Sequence, residues 1–187
     1  MKFFLYLFSL MVIAGFVIYE FGLYPVASVN GTLISAHAWQ RAINAERRVI
    51  NVRAFASRSQ QIDFSSPENA ELLGTIHKNM LTFLIDTVIM DKDGVAVVPD
   101  LEQLSIQRVN DELNKSHITE QMVAAVYGLD LALLKEMVLL PHARQEIVGQ
   151  TLEADGKNFD NWVLDGRGQA NVRFFFGSFQ WDRNGIK

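Results

Sequence analysis

The first stretch of the chain is almost uniformly apolar. No charged residue occurs between Phe3 and Tyr19, while Lys2 precedes this run and Glu20 follows it. A helix over residues 3–24 would be about 33 Å long, which is enough to cross a hydrocarbon core of about 30 Å. The pattern therefore predicts a transmembrane signal anchor whose positively charged N-terminus remains inside the cell.

This anchor, assigned to residues 1–25, has a cleaved signal peptide as its alternative. The small residues Val26-Ala27-Ser28 would suit cleavage, although the apolar run is longer than that of most signal peptides. In both cases residues 26–187 form the body of the protein outside the cytoplasm. The anchor further predicts a single-pass protein of the inner (cytoplasmic) membrane, with its body in the periplasm or extracytoplasmic space.

The body has the hydrophobic pattern of a mainly α-helical domain. Alternation on both sides of Asn30-Gly31 predicts two short strands joined by a tight turn. Apolar residues then recur at helical spacing, which predicts helices over Ala36–Arg58, Pro67–Lys92, from Pro99 onward, Glu120–Tyr127, Leu131–Leu152 and Phe159–Leu164. We expect Asp93-Gly94 to end the second helix, Pro141 to kink or divide the fifth, and Gly166-Arg167-Gly168 to end the sixth.

The last part of the chain is rich in aromatic residues. The alternation from Val172 to Phe176 predicts a strand, which the Gly177-Ser178 dipeptide interrupts. Such a strand would place Phe174 and Phe176 on one face and Phe175 on the other. Burying one of these rings would stabilise the fold by about 1.5–3 kcal/mol, so we expect the strand to matter for stability.

Composition restricts the chemistry that this chain can perform. Its 187 residues carry a net charge of −4 and no cysteine, which excludes disulfides, thiolate catalysis and cysteine-based zinc sites. The four histidines have no metal-ligand spacing, and no phosphate-binding glycine loop occurs. Basic residues form a stripe on the first helix of the body, which we interpret as a solvated face. We therefore expect no catalytic residue, cofactor, metal or nucleic-acid partner.

The order of these elements resembles that of the SurA/PrsA/PpiD group of extracytoplasmic chaperones and peptidyl-prolyl isomerases. Members of this group begin with a signal or anchor, then a short strand and a long helix, which Val29-Asn30-Gly31 and Ile34-Ser35 match here. Tyr127-Gly128-Leu129 resembles a second motif of the group. The closing motif is similar to Phe159, Trp162-Val163, Arg167, Ala170 and Val172.

The resemblance implies a SurA-N-like helical domain over residues 26–187, in which the C-terminal strand returns to the N-terminal strand. Isomerase members carry a whole parvulin domain before the tail. Only a few residues separate Leu152 from Phe159 here, so isomerase activity is expected to be absent. The expected function is that of a membrane-anchored chaperone, not an enzyme, that binds apolar segments of unfolded or assembling proteins. A structural accessory subunit of a larger membrane complex is the alternative.

A chaperone of this kind would contact its clients or partners through apolar side chains that adapt to irregular surfaces. The expected contacts are Met80, Phe83, Met122, Tyr127, Met137, Phe175, Phe179 and Trp181. Each methionine could instead fill the core. Phe179 and Trp181 lie beyond the predicted strand, where they would either staple the end of the sheet or lie exposed for a partner or the bilayer interface.

Overall fold

The computed structural model describes residue 12 and residues 20–187 of the chain. Most of the predicted anchor over residues 1–25 falls outside these described residues, but its end does not. The expected helix does not extend to residue 24, because residues 21–24 form a turn and irregular backbone and Pro25 begins a strand. Within the described part of the chain, no helix is both long enough and apolar enough to cross a membrane. The structure therefore bears on the body, which is mainly helical, as predicted, with small antiparallel sheets.

The elements of the body follow one another with short connections. The strands are β1 (Pro25–Val29), β2 (Thr32–Ser35), β3 (Val172–Phe174), β4 (Trp181–Asp182) and β5 (Gly185–Ile186). The helices are α1 (Ala36–Ala56), α2 (Ala70–Val97), α3 (Leu101–Ser116), α4 (Glu120–Tyr127), α5 (Leu131–Leu134), α6 (Leu140–Ala154) and α7 (Phe159–Gln169). A 3-10 turn (Pro67–Asn69) precedes α2, and a π-helical turn (Lys135–Leu139) connects α5 to α6.

The two ends of the body meet in one antiparallel sheet with the strand order β2-β1-β3. β1 and β2 are joined by Asn30-Gly31, whose φ angles of 50° and 89° suit a tight turn. Ala27 of β1 lies opposite Phe174 of β3. The Asn30 side chain also accepts a hydrogen bond from the Asn171 N–H at 2.8 Å. The predicted return of the C-terminal segment to the N-terminal strand is thus confirmed.

Helix α2 is the central element of the body. Its first part packs with α1 and the preceding loop in a cluster of Ile43, Phe64 and Ile76. Its middle packs under the sheet, and its last part packs against α3, α6 and α7 around Met90. A fourth cluster, which includes Val123, joins α1 to α4 and α5. One helix therefore connects three of the four clusters among the described residues.

The prediction that Asp93-Gly94 ends this helix is wrong. α2 continues to Val97, and Gly94 is buried inside it. A Cβ atom at Gly94 would lie 2.6 Å from Leu101 Cδ2 and 3.3 Å from Val148 Cγ2. The glycine therefore allows α3 and α6 to approach α2 closely instead of terminating the helix.

The prediction that Gly166-Arg167-Gly168 ends the last helix is also wrong. α7 continues through these residues to Gln169. A Cβ atom at Gly166 would lie 3.2 Å from Ile89 Cγ2 and 3.2 Å from Asp93 Oδ2, so α7 crosses α2 closely at this point. The small side chain again serves helix packing.

Pro141 divides its helical run, as predicted. The residue has no N–H to donate, so the regular hydrogen-bond pattern cannot continue through it. The π-helical turn ends at Leu139, two residues before the proline, and α6 begins at Leu140. Pro141 is buried in the first turn of α6. The irregular turn therefore lies where the proline interrupts the backbone pattern.

The closing strand is shorter than predicted. β3 ends at Phe174, although the Phe175 N–H still donates to the Val26 carbonyl at 2.9 Å. Gly177, with a φ of 71°, then turns the chain away from the sheet. Phe176 is consequently half exposed and does not share the environment of Phe174.

Candidate functional site

An apolar groove lies between α2, α6 and α7. Its main part has a volume of about 330 Å³ and is lined by Ile89, Met90, Phe159, Trp162 and Val163, among others. A narrower extension of about 70 Å³ continues between α2 and α6 toward Phe83 and Thr87. The two parts share Asp86, Met90 and Gln145, so they form one continuous surface, which we call the α2–α6–α7 groove.

Local sequence signals position the aromatic wall of this groove. The Asn158 side chain accepts a hydrogen bond from the Asn161 N–H at 2.9 Å, which caps the start of α7. Phe159 and Trp162 follow with a spacing of three residues, and their rings stack with centroids 6.0 Å apart. A Cβ atom at Gly149 of α6 would lie 3.7 Å from the Phe159 ring, so this glycine provides space for the wall.

Two ion pairs border the groove. Arg167 of α7 binds Asp86 of α2 through two hydrogen bonds, from Nε at 2.8 Å and from Nη2 at 2.5 Å. Arg144 Nη1 of α6 lies 2.8 Å from Asp91 Oδ1 of α2. The hydrogen bonds with Asp86 raise the pKa of Arg167, and burial raises the pKa of Asp91 although Arg144 opposes that shift. Both pairs therefore hold neighbouring helices onto α2.

The aromatic tail also contacts α7, on which the groove is built. The Trp181 indole N–H donates to the Arg167 carbonyl at 3.0 Å. The rings of Phe174 and Phe179 meet edge to face, with centroids 5.7 Å apart. Phe179 and Trp181 thus pack against the sheet cluster, which favours their role as a staple over that of exposed contacts. Arg167 is fixed at both ends, by Asp86 at its side chain and by Trp181 at its carbonyl.

The structure separates the eight side chains that were expected to contact clients. Phe83 alone among them lines the groove, in its extension. Phe179 and Trp181 belong to the staple described above. The remaining five lie elsewhere: Met80 beside the Ile43 cluster, Met137 half-buried in the π-helical turn, Met122 and Tyr127 exposed on α4, and Phe175 exposed after β3.

Sequence reasoning missed most of the residues that form the groove. Met90, Phe159, Trp162 and the ion-pair residues were not among the expected contacts. One signal was present, since Asp86 is a single carboxylate inside the apolar run from Phe83 to Met90. A charge at such a position needs a partner when the helix is buried.

No group of acidic or histidine side chains suited to hold a metal ion occurs in the part of the chain that the structure describes. Comparison of the chain with protein-family models, curated proteins and solved structures gave no match. The resemblance to the SurA/PrsA/PpiD group therefore depends on its motifs and element order alone.

Proposed function

We propose that this protein is a membrane-anchored extracytoplasmic chaperone that binds apolar segments of unfolded or assembling proteins in the α2–α6–α7 groove. The observation that carries the proposal is the partly exposed apolar wall of Phe159, Trp162 and Val163 beside Met90. Aromatic and methionine side chains accommodate apolar segments of many shapes. Reversible burial of such segments requires no cofactor and no covalent step.

The size of the groove supports a short segment as its occupant. Ligand sites in proteins commonly have volumes of about 300–1,000 Å³. The main part of the groove, at about 330 Å³, is at the lower end of that range. Its extension toward Phe83 would allow an extended chain to continue along α2.

The charges around the groove also support an apolar client. Three carboxylates line it, and two of them, Asp86 and Asp91, are paired with arginines. The third, Asp160, is exposed at the start of α7 and remains in contact with water. An apolar segment could therefore cover the floor without burying an unpaired charge, which would be costly.

The proposal includes the absence of isomerase activity. α6 ends at Ala154 and α7 begins at Phe159, so residues 155–158 are the whole connection at the place where isomerase relatives carry a parvulin domain. A proline-peptide isomerisation assay tests this part of the proposal. A rate enhancement that follows the protein through purification would contradict it.

The binding site can be tested by site-specific crosslinking. A photo-reactive amino acid at Phe83, in the groove extension, should crosslink a reduced and unfolded reporter protein. The same probe at Leu33, an exposed position on β2, is the matched control and should give little product. Strong crosslinking from Met122 with none from Phe83 would move the site to α4 and contradict the groove.

A loss-of-function variant complements the crosslinking. Trp162→Ala removes the largest aromatic side chain of the groove, so it should weaken suppression of reporter aggregation several-fold. Thermal melting of the variant establishes that it remains folded at the assay temperature. Unchanged suppression by a folded Trp162→Ala protein would exclude the groove as the binding site.

The second candidate function is a structural accessory subunit of a larger membrane complex. The exposed apolar side chains of Met122, Val126 and Tyr127 on α4 favour it, since apolar surface of this kind often marks a protein interface. Stoichiometric co-purification with one complex in mild detergent would support this function. Micromolar binding to unrelated unfolded proteins would instead support the chaperone.

A further inference from the structure

An exposed aromatic face lies where the described body begins. It consists of Phe21 and Phe176, which are 65% and 49% exposed. Phe21 and Phe176 line the same groove of about 400 Å³. The Tyr24 ring meets Phe176 edge to face, with centroids 5.5 Å apart. Segments that are far apart in the sequence thus form one aromatic surface, which we call the aromatic face.

The backbone on both sides of this face is fixed to the body. The His37 N–H donates to the Gly22 carbonyl at 2.8 Å, and the Ala36 N–H donates to the Tyr24 carbonyl at 2.9 Å. On the other side, the Phe175 N–H donates to the Val26 carbonyl at 2.9 Å. The body is therefore held directly at residue 22, without a long tether between it and the preceding segment.

This attachment limits how far the aromatic face can lie from the apolar run over residues 3–19. The fixed Gly22 is two positions after Glu20, and two residues span at most about 7 Å. The headgroup region on one side of a bilayer is about 5–8 Å thick, which follows from a total thickness of about 40–45 Å and a core of about 30 Å. A span that ends near residue 20 would therefore bring the face to this region.

We propose that the body docks on the extracytoplasmic surface of the bilayer through the aromatic face, with lipid headgroups and upper acyl chains as its occupant. This inference rests on the membrane anchor of the proposed function. Phenylalanine, tyrosine and tryptophan rings are favourable at the boundary between headgroups and acyl chains. The carboxylate of Glu20, beside the face, remains in the hydrated headgroup layer. Docking would hold the body against the membrane in one orientation.

The absence of cysteine from the chain makes a direct test possible. Phe176→Cys in the full-length protein is labelled with an environment-sensitive fluorophore and reconstituted into vesicles of phosphatidylcholine and phosphatidylglycerol. Met122→Cys is the matched control, because Phe176 and Met122 are 49% and 52% exposed in the isolated protein. Nitroxide lipids labelled near the headgroup should quench the label at position 176 several-fold more than the label at position 122. Aqueous iodide should quench the label at position 176 several-fold less than the label at position 122.

The outcomes separate the docking from the anchor. Flotation of the protein with vesicles tests the anchor alone. A floating protein whose label at position 176 is as accessible to iodide as that at position 122 would overturn the docking and leave the anchor standing. Protection from both quenchers would also overturn it, since residues 3–19 or another protein segment would then cover the face. A protein that does not float would contradict both.

The labelled variant must retain the native fold for this comparison. Its melting temperature is therefore compared with that of the unlabelled protein. Phe21→Cys, at the other exposed position of the aromatic face, provides a second label site and is expected to give the same quenching pattern. Iodide access at position 21 in a folded, floating protein would contradict the docking independently.

Discussion

Arg167 and Asp86 lie 81 positions apart in the sequence and form a two-point ion pair, with hydrogen bonds of 2.8 and 2.5 Å. Their side chains are only 24% and 28% exposed. Parallel hydrogen bonds of this kind constrain geometry as well as charge. Because the Arg167 carbonyl also accepts a hydrogen bond from Trp181, this residue connects the groove to the aromatic tail.

Arg167→Ala should lower the free energy of unfolding by about 2–3 kcal/mol, because it leaves a partly buried carboxylate without its partner. Arg167→Lys should recover only part of this loss, since an ammonium group cannot form the same two-point contact. Urea unfolding of the two variants measures their free energies of unfolding. The control is Arg41→Ala, which breaks an exposed pair with Glu136 and should cost at most about 1 kcal/mol. Equal losses at Arg167 and Arg41 would contradict a structural role for the buried pair.

Gly94 and Gly74 are both in α2, and they should respond to alanine in opposite directions. A Cβ atom at Gly94 would lie 2.6 Å from the buried Leu101 side chain, so Gly94→Ala should destabilise the protein by about 1–3 kcal/mol. Nothing lies within 4 Å of a Cβ atom at Gly74. Gly74→Ala should therefore stabilise the helix by up to about 1 kcal/mol. Chemical denaturation of both variants checks this, and a stabilised Gly94→Ala protein would contradict the close packing.

Local signals are sufficient to locate the starts of three helices. Ser35, Thr119 and Asp130 are residue types that favour helix N-caps, and each side chain accepts a hydrogen bond from a backbone N–H three residues later, at the starts of α1, α4 and α5. Such caps depend on residues that are close in sequence. The Asn30-Gly31 turn was predictable for the same reason.

The helix ends were less predictable, because tertiary packing overrides local propensity. Gly94 and Gly166 look like helix-ending residues in a sequence window. Their actual role depends on side chains that other helices bring close. Leu101 of α3 and Val148 of α6 lie beside Gly94, and Ile89 of α2 lies beside Gly166. A sequence window contains no information about this approach.

The groove was least predictable of all. Asp86 in its apolar run indicated that a partner must exist, but many basic residues could have supplied it. Selecting Arg167 requires knowledge of how α7 crosses α2, and that crossing depends in turn on Gly166. The expected contacts were chosen by residue type, so they are spread over several surfaces.

The free energy of unfolding should decrease as the pH is lowered from about 7.5 to about 5.5. This range lies above the usual pKa values of carboxyl groups. Burial against Trp39 lowers the pKa of His77 below its ordinary value of 6.5, and the nearby Arg47 lowers it further. The unfolded chain therefore binds a proton near pH 6.5 that the folded protein resists, so stability is lost as the pH decreases.

His77→Gln should reduce this loss, because the variant has no group at that position that titrates in this range. His142→Gln is the control for the substitution itself, since the His142 side chain is 75% exposed. Urea midpoints measured across the pH range test the prediction. A loss of the same size in the His77→Gln protein would show that His77 is not its cause.

The aromatic tail should contribute unequally to stability. Phe174 packs in the sheet cluster against Phe179, so Phe174→Ala should lower the free energy of unfolding by about 3 kcal/mol, the low end for a buried phenylalanine. Phe175 is half exposed, and Phe175→Ala should cost about 1 kcal/mol or less. Trp181→Phe removes the hydrogen bond to the Arg167 carbonyl and should cost about 0.5–1.5 kcal/mol.

This order of losses, with Phe174 above Trp181 and Trp181 at or above Phe175, tests the architecture as well as the individual residues. It requires that β3 pairs with β1 and that the tail returns over α7. Thermal melting and urea unfolding of the three variants measure the order. Equal losses at Phe174 and Phe175 would indicate a segment buried on both faces. Unchanged stability in all three would mean that the tail does not belong to the folded core, and the joint fixing of Arg167 by Asp86 and Trp181 would then be wrong.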